Sequence, residues 1–347
     1  MRALTVIPGK PGSAAVVEVE EPRRGSGELL VDGLAMGVCG TDNEILAGEY
    51  GEPPPGRERL VLGHESLGRV READPDSGFA AGDLVVGVVR RPDPEPCPAC
   101  ARGEFDMCRN GRYRERGIKE LDGYGSERWT VEADYAVKLD PELERVGVLM
   151  EPTTIVAKAW DHIERIGRRS YFEPNRLLVT GAGPIGLLAA LLGVQRGFEV
   201  TVLDRVTAGP KPELVERLGA TYATGTIAEL AKPDVVIEAT GVGQLVFDSL
   251  EHTAPAGIVC LTGVSSTGRP LEVDAGAINR ELVLENDVVF GSVNANLEHY
   301  RLAADALARA DRSWLEAMIT RRVPLDRYEE ALDRGDDDVK VVLELNV

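Results

Sequence analysis

Gly181-Ala182-Gly183-Pro184-Ile185-Gly186 is the stretch that decides the fold. It follows the apolar run Leu177-Leu178-Val179 and opens a helical pattern from Ile185 to Gln195. In such a turn the first glycine allows the sharp reversal, the second lets a pyrophosphate approach the backbone, and the third lets helix and strand pack closely. A bare G-x-G-x-x-G carries little weight, and here the flanking strand and helix give it meaning. The turn therefore reads as a dinucleotide cradle built from Gly181, Gly183, Pro184, Ile185 and Gly186.

Working outward from it, Asp204 closes the run Val200-Thr201-Val202-Leu203, 18 residues after Gly186. A carboxylate there accepts hydrogen bonds from the ribose hydroxyls and repels a 2′-phosphate, so NAD is favoured. Arg205 partly offsets that repulsion and keeps NADP admissible. The competing role for Asp204 is a helix N-cap. Helical and strand patterns then alternate through Glu213 to Leu218, Asp234 to Glu238, Gly257 to Leu261 and Val288 to Gly291. Thr240, Gly241 and Gly263 are expected cofactor contacts. Alternation of this kind predicts an α/β fold with a doubly wound parallel sheet covered by helices on both faces.

Before this region the chain changes character. From Met1 to about Glu151 it is rich in glycine, proline and short β-type runs, such as Glu28 to Val31 and Asp83 to Val89, which suggests an irregular β-rich domain. A helical stripe of Ile155, Ala159, His162, Ile163 and Ile166 reads as a connecting helix from Pro152 to Arg168. After Asn296 the pattern is helical again and ends in Val339 to Leu345, a strand able to rejoin the first domain. The expected division is 1–155 with 293–347 for one domain and 156–292 for the dinucleotide domain.

Composition sets outer limits. The 347 residues carry 39 Lys+Arg against 58 Asp+Glu, a formal charge of −19. A surface this acidic repels a polyanion, so nucleic acid is excluded as a partner. No run approaches the ~20 apolar residues of a membrane span, and nothing at the start reads as a signal peptide. A soluble cytoplasmic protein is expected.

Five cysteines are present, an odd number that argues against a disulfide framework. Cys97, Cys100 and Cys108 cluster in a proline-rich, polar stretch, where thiolates on a turn can converge on a structural zinc ion. Pro94 stands where a fourth ligand would be sought, and it cannot ligate. Asp93, Glu95 or Asp106 could supply an oxygen; otherwise the lobe binds zinc weakly or not at all.

Three further segments carry candidate ligands: Cys39-Gly40-Thr41-Asp42, Gly63-His64-Glu65 and Met150-Glu151-Pro152. Thiolate, imidazole and carboxylate with an open position make a Lewis-acid zinc centre for an alcohol, with hydride leaving towards a nicotinamide. Each residue alone has a bland explanation in core packing or helix capping. Their joint occurrence ahead of a dinucleotide fold is what carries the reading.

At this point the chain resembles the zinc-dependent medium-chain dehydrogenases, and most of all their archaeal-type glucose dehydrogenase branch. The resemblance runs through Val38-Cys39-Gly40-Thr41-Asp42, Leu62-Gly63-His64-Glu65, Val89-Arg90-Arg91-Pro92, Glu115-Arg116-Gly117-Ile118, Glu151-Pro152 and Gly291-Ser292-Val293-Asn294. It implies a GroES-like catalytic domain beside a Rossmann domain. It also implies Cys39, His64 and Glu65 as zinc ligands, with Glu151 a direct or water-mediated ligand that meets the sugar. Thr41 would hydrogen-bond the reacting hydroxyl. Glu115 and Asn294 would hold sugar hydroxyls, and Asn294 would also border the nicotinamide. Ile155 stands where the branch often has an acid. The implied reaction is oxidation of an aldose at C1 to the lactone; a polyol, an aminocyclitol or another secondary alcohol is the alternative substrate. A non-catalytic dinucleotide-binding protein is the competing class, and it would predict eroded ligands. Relatives form dimers or tetramers, so a homo-oligomer is expected, with about 288–297 as a candidate interface.

Overall fold

The computed structural model describes residues 1–265, 270–333, 335 and 337–346. The chain divides into two compact units, Met1–Glu151 with Ala295–Val347, and Pro152–Asn294. The expected boundaries at 155/156 and 292/293 stand four and two residues from these.

In the second unit six parallel strands line up as Thr221–Ala223, Glu199–Leu203, Arg176–Thr180, Val235–Glu238, Ile258–Leu261 and Val288–Gly291. Numbered along the chain that order is 3-2-1-4-5-6, the doubly wound arrangement whose crevice lies beyond the carboxyl ends of the central strands. Arg176–Thr180, the first strand, is central and buried on both faces, which its unbroken apolar run Leu177-Leu178-Val179 requires. Helix Pro184–Gln195 follows it after the glycine turn. Proline at its first position has no N–H to waste, and its apolar surface all round suits its burial. Gly181 adopts φ +90°. A Cβ on Gly186 would collide with the Gly181 carbonyl oxygen, so turn and helix meet only because both are glycine.

The first unit is built on the long strand Glu28–Gly37. It pairs antiparallel with Glu65–Glu72, Arg128–Glu132 and Lys340–Glu344, within a seven-stranded sheet. The strand read from Val339 to Leu345 therefore does rejoin the first domain. Register fixes the chemistry: Gly37 lies opposite Glu65 on one side and Val342 on the other. Met36, Val38, Ile45, Leu62 and Leu343 pack as one buried cluster beneath this edge. The expected strand from Asp83 to Val89 ends at Gly87, and Arg90–Arg91 begins a separate small sheet with Arg114–Arg116 and Glu120–Leu121. The connecting helix runs Met150–Gly167. Its stripe is broader than the sequence suggested, because Val156, Ala157 and Trp160 are buried while Ile155 and Ile166 are only partly so. Among the described residues no helix is long and apolar enough to cross a membrane.

Candidate metal centre and cofactor cradle

Cys39 caps helix Gly40–Leu46: its sulfur accepts from Thr41 N, while Asp42 reaches back to Cys39 N at 2.9 Å. His64 follows Gly63, whose φ of +97° turns the chain, and Glu65 begins the next strand. Gly37 leaves the space that the Glu65 carboxylate fills. One ligand atom from each of Cys39, His64 and Glu65 lies within 4.8 Å of the others. Cys39 Sγ and His64 Nε2 are 3.3 Å apart. Tetrahedral ligands at Zn–S and Zn–N bond lengths stand roughly 3.5 Å from each other, so this separation fits a shared ion. Glu151 lies outside that group of three.

Charge points the same way. Burial works against a protonated His64, yet Cys39 and Asp42 outweigh it and hold the ring's pKa well above its ordinary value. Burial pushes the Glu151 carboxyl up to about 7, and Glu65 and Asp42 add to this against His64 and Lys340. A buried cluster that holds on to protons so firmly is short of positive charge. A divalent cation would supply it.

The cysteine lobe also converges, with the three sulfurs of Cys97, Cys100 and Cys108 within 4.8 Å of one another. Backbone N–H groups of Arg109 and Cys100 lower the Cys97 thiol to about 6, whereas burial raises Cys100 to about 11. The oxygens suggested for a fourth position are held elsewhere. Asp93 accepts from Asn110 Nδ2 at 2.6 Å and Arg112 Nε at 3.2 Å, and Glu95 pairs with Arg112 at 2.9 Å. Asp106 Oδ1 accepts from Asn296 Nδ2 at 2.8 Å. Three thiolates fit a zinc ion, and among the described residues no acid joins their group.

Thr41 sits in the first turn of its helix, partly exposed. Glu115 is buried, and Arg90 pairs with its Oε1 at 2.9 Å. Asn294 adopts a left-handed φ of +62° at the end of the second unit.

In the second unit Gly181, Asp204, Arg205 and Thr240 line a cavity of about 620 Å³, within the usual range for a ligand pocket. Asp204 Oδ2 accepts from Ala182 N at 2.6 Å and Oδ1 from Val206 N at 3.1 Å. Its carboxylate thus ties the second strand to the glycine turn. Gly241 takes φ +67°, and Gly263 lies so close that a Cβ there would strike Gly241 N.

Four residues in these sites have roles that were not read from sequence. Asp42 Oδ1 faces His64 Nδ1 at 3.6 Å. Lys340 is buried, donates to the Val38 carbonyl at 2.9 Å and forms an ion pair with Glu65. Lys211 lines the dinucleotide cavity with its Nζ 3.9 Å from Asp204. Glu238, fully buried at a strand end, accepts from Thr180 Oγ1, Thr240 N and Gly241 N and so shapes the turn that lines the cavity. Asp42 and Lys211 carried local signals, one as the end of the Cys39-Gly40-Thr41-Asp42 motif and the other as a second cation after the acid at the strand end.

Comparison with known proteins extends these observations to the whole chain. The family described as Glucose dehydrogenase C-terminus matches residues 144–345, and Alcohol dehydrogenase GroES-like domain matches residues 25–141. Glucose 1-dehydrogenase of Methanocella arvoryzae is 42% identical, with 99% of each chain covered. That of Thermoproteus tenax is 40% identical over 99% of each. Among solved structures, Haloferax mediterranei glucose dehydrogenase in complex with NADP, Zn and gluconolactone superposes with a TM-score of 0.92 at 35% identity, covering 100% of both chains. A putative zinc-binding dehydrogenase from Sinorhizobium meliloti bound to NADP gives 0.81 at 28% identity, covering 99% of this chain and 98% of that one.

Proposed function

We infer the reaction from a premise these comparisons supply: the chain belongs to the glucose dehydrogenase family of zinc-dependent medium-chain dehydrogenases. It oxidises an aldose of the glucose class at C1 to the lactone and passes hydride to a nicotinamide dinucleotide. The observation that carries this reading is the convergence of Cys39, His64 and Glu65 in a chain whose relatives match it from end to end.

A zinc ion held by Cys39, His64 and Glu65 would supply the Lewis acidity that lets a sugar hydroxyl lose its proton near neutral pH. Asp42 orients the His64 ring through Nδ1, and Lys340 holds Glu65 from the other side. Glu151 would serve as a direct or water-mediated ligand and meet the sugar. Thr41 hydrogen-bonds the reacting hydroxyl, and Glu115 holds further hydroxyls of the ring. Polar contacts of this kind select a polyhydroxylated substrate over a simple alkanol. Asn294 serves the nicotinamide end of the cofactor.

NAD is the favoured cofactor, because Asp204 places a negative charge where a 2′-phosphate would sit. NADP is accepted, since Arg205 and Lys211 line the same cavity. Asp204→Ala should weaken NAD roughly ten- to hundredfold, the worth of one charged hydrogen bond, and improve NADP relative to it. A wild-type preference for NADP of about tenfold or more contradicts this assignment.

The active form is a homo-oligomer assembled through the sheet edge Val288–Gly291. Among the described residues that strand has a partner on one side alone, and the preceding helix exposes Val283 and Leu284 at 64% and 60%. Five unpaired cysteines suit a reducing cytoplasm. The test of the reaction is a panel of aldoses and polyols, each with NAD and with NADP, after zinc reconstitution. Glucose or a close epimer should give the highest kcat/KM and a lactone product. A polyol oxidised in preference to every aldose would replace the substrate assignment.

A further inference from the structure

We propose that Arg90 is a positioning residue for Glu115, fixing the sugar-holding carboxylate to the cysteine-bearing loop. This rests on the reading of Glu115 as a sugar-binding group. Arg90 belongs to the motif Arg90-Arg91-Pro92, to which sequence alone attached no role.

Arg90 and Glu115 are direct partners across two short antiparallel strands, which puts their side chains on the same face. Their side chains are 8% and 4% exposed. Arg90 brings Nε and Nη2 to Glu115 Oε1 at 3.0 and 2.9 Å. Its remaining surface is committed as well. Nη1 donates to the Asp106 carbonyl at 3.0 Å, and the guanidinium lies over the Tyr113 ring, 3.7 Å from its centroid. A planar fork held on three sides is fixed in place, and it holds Glu115 Oε1 in one direction.

The anchor reaches further through Asp106, which lies between Cys100 and Cys108. Its Oδ1 accepts from Asn296, and Asn296 caps helix Leu297–Arg309. Arg90 therefore joins a helix cap and the cysteine loop to one carboxylate. Burying two charges gains little stability over apolar side chains of the same size. What the pair provides is a carboxylate fixed in direction, the property a hydroxyl-binding group needs.

The test compares Arg90→Gln, Arg90→Lys, Glu115→Gln and the double variant Arg90→Gln/Glu115→Gln, each checked for folding by circular dichroism. Arg90→Gln should raise the KM for glucose about tenfold or more, while kcat stays within about threefold and cofactor binding is unchanged. Arg90→Lys should recover part of the loss, keeping the charge without the fork. The double variant leaves no lone buried charge, so it folds even where Arg90→Gln does not. Its sugar KM should equal that of Glu115→Gln alone, because Arg90 acts only through Glu115. If Glu115→Gln raises KM and the double variant raises it by a further tenfold, Arg90 acts elsewhere and the proposal fails by itself. A folded Arg90→Gln protein with the wild-type KM has the same consequence. If Glu115→Gln keeps the wild-type KM, the sugar-binding reading fails and the proposal goes with it.

Discussion

Asp42 Oδ1 lies 3.6 Å from His64 Nδ1, and the other nitrogen of the same ring lies 3.3 Å from the Cys39 sulfur. Both facing atoms are buried, and neither has a hydrogen-bond partner. An imidazole whose Nδ1–H is drawn towards a carboxylate presents its Nε2 lone pair on the opposite edge, which is the edge turned to the thiolate. A metal at Nε2 would require the tautomer with its proton on Nδ1, and a carboxylate on that side favours it.

Asp42→Asn keeps an oxygen for Cys39 N but can offer His64 an N–H in place of an acceptor. It should lower zinc affinity by roughly ten- to hundredfold, read as metal retained against a competing chelator, with dinucleotide binding unchanged. Wild-type retention would mean that Asp42 serves only the helix cap.

The cysteine lobe gives a second metal prediction. Backbone N–H groups bring the Cys97 thiol down to about 6, towards the thiolate form that binds a metal. If three thiolates hold an ion there, Cys100→Ser should lower Tm and take the zinc content from near two per chain to near one. One zinc in the wild type, unchanged by the substitution, would mean that the lobe binds none.

Acid stability should depend on Glu132. Burial disfavours its charge, but Arg91 donates to Oε2 at 3.1 and 2.7 Å and brings the carboxyl from 4.5 down to about 2. The unfolded chain binds this proton more readily, so the stabilisation is complete above pH 4.5 and is lost as pH falls towards 2. The full shift corresponds to about 3 kcal/mol, and with the side chain 42% exposed solvent reduces this to about 1–2 kcal/mol. Glu132→Gln should destabilise the protein at pH 7 and flatten the decline of urea-unfolding free energy between pH 4.5 and 2. An unchanged decline contradicts the assignment.

How far the sequence reached depended on how local each feature is. Gly181 to Gly186 and Asp204 were legible because turn, strand and helix lie together along the chain. Cys39 and His64 could be named only because thiolate, imidazole and carboxylate occur together ahead of a dinucleotide fold, each alone having an ordinary explanation. Lys340 could not, since only the pairing of its strand with Glu28–Gly37 brings it to Glu65. Glu238 looks like an ordinary strand residue, and its burial appears only once the strand is found at the middle of the sheet. Asp93, Glu95 and Asp106 were plausible oxygens by proximity to the cysteines. The partners that claim them, Asn110, Arg112 and Asn296, are brought in by the fold.

The central claim is that His64 activates the alcohol and takes no part in holding the dinucleotide, and His64→Ala tests it most directly. The glycine turn and Asp204 belong to the second unit, and His64 to the first. The variant should bind NADH with the wild-type dissociation constant, followed by fluorescence, while turnover falls by several orders of magnitude and its zinc content drops. A His64→Ala protein that oxidises its sugar at more than about a tenth of the wild-type rate, free of contaminating wild type, would contradict the account.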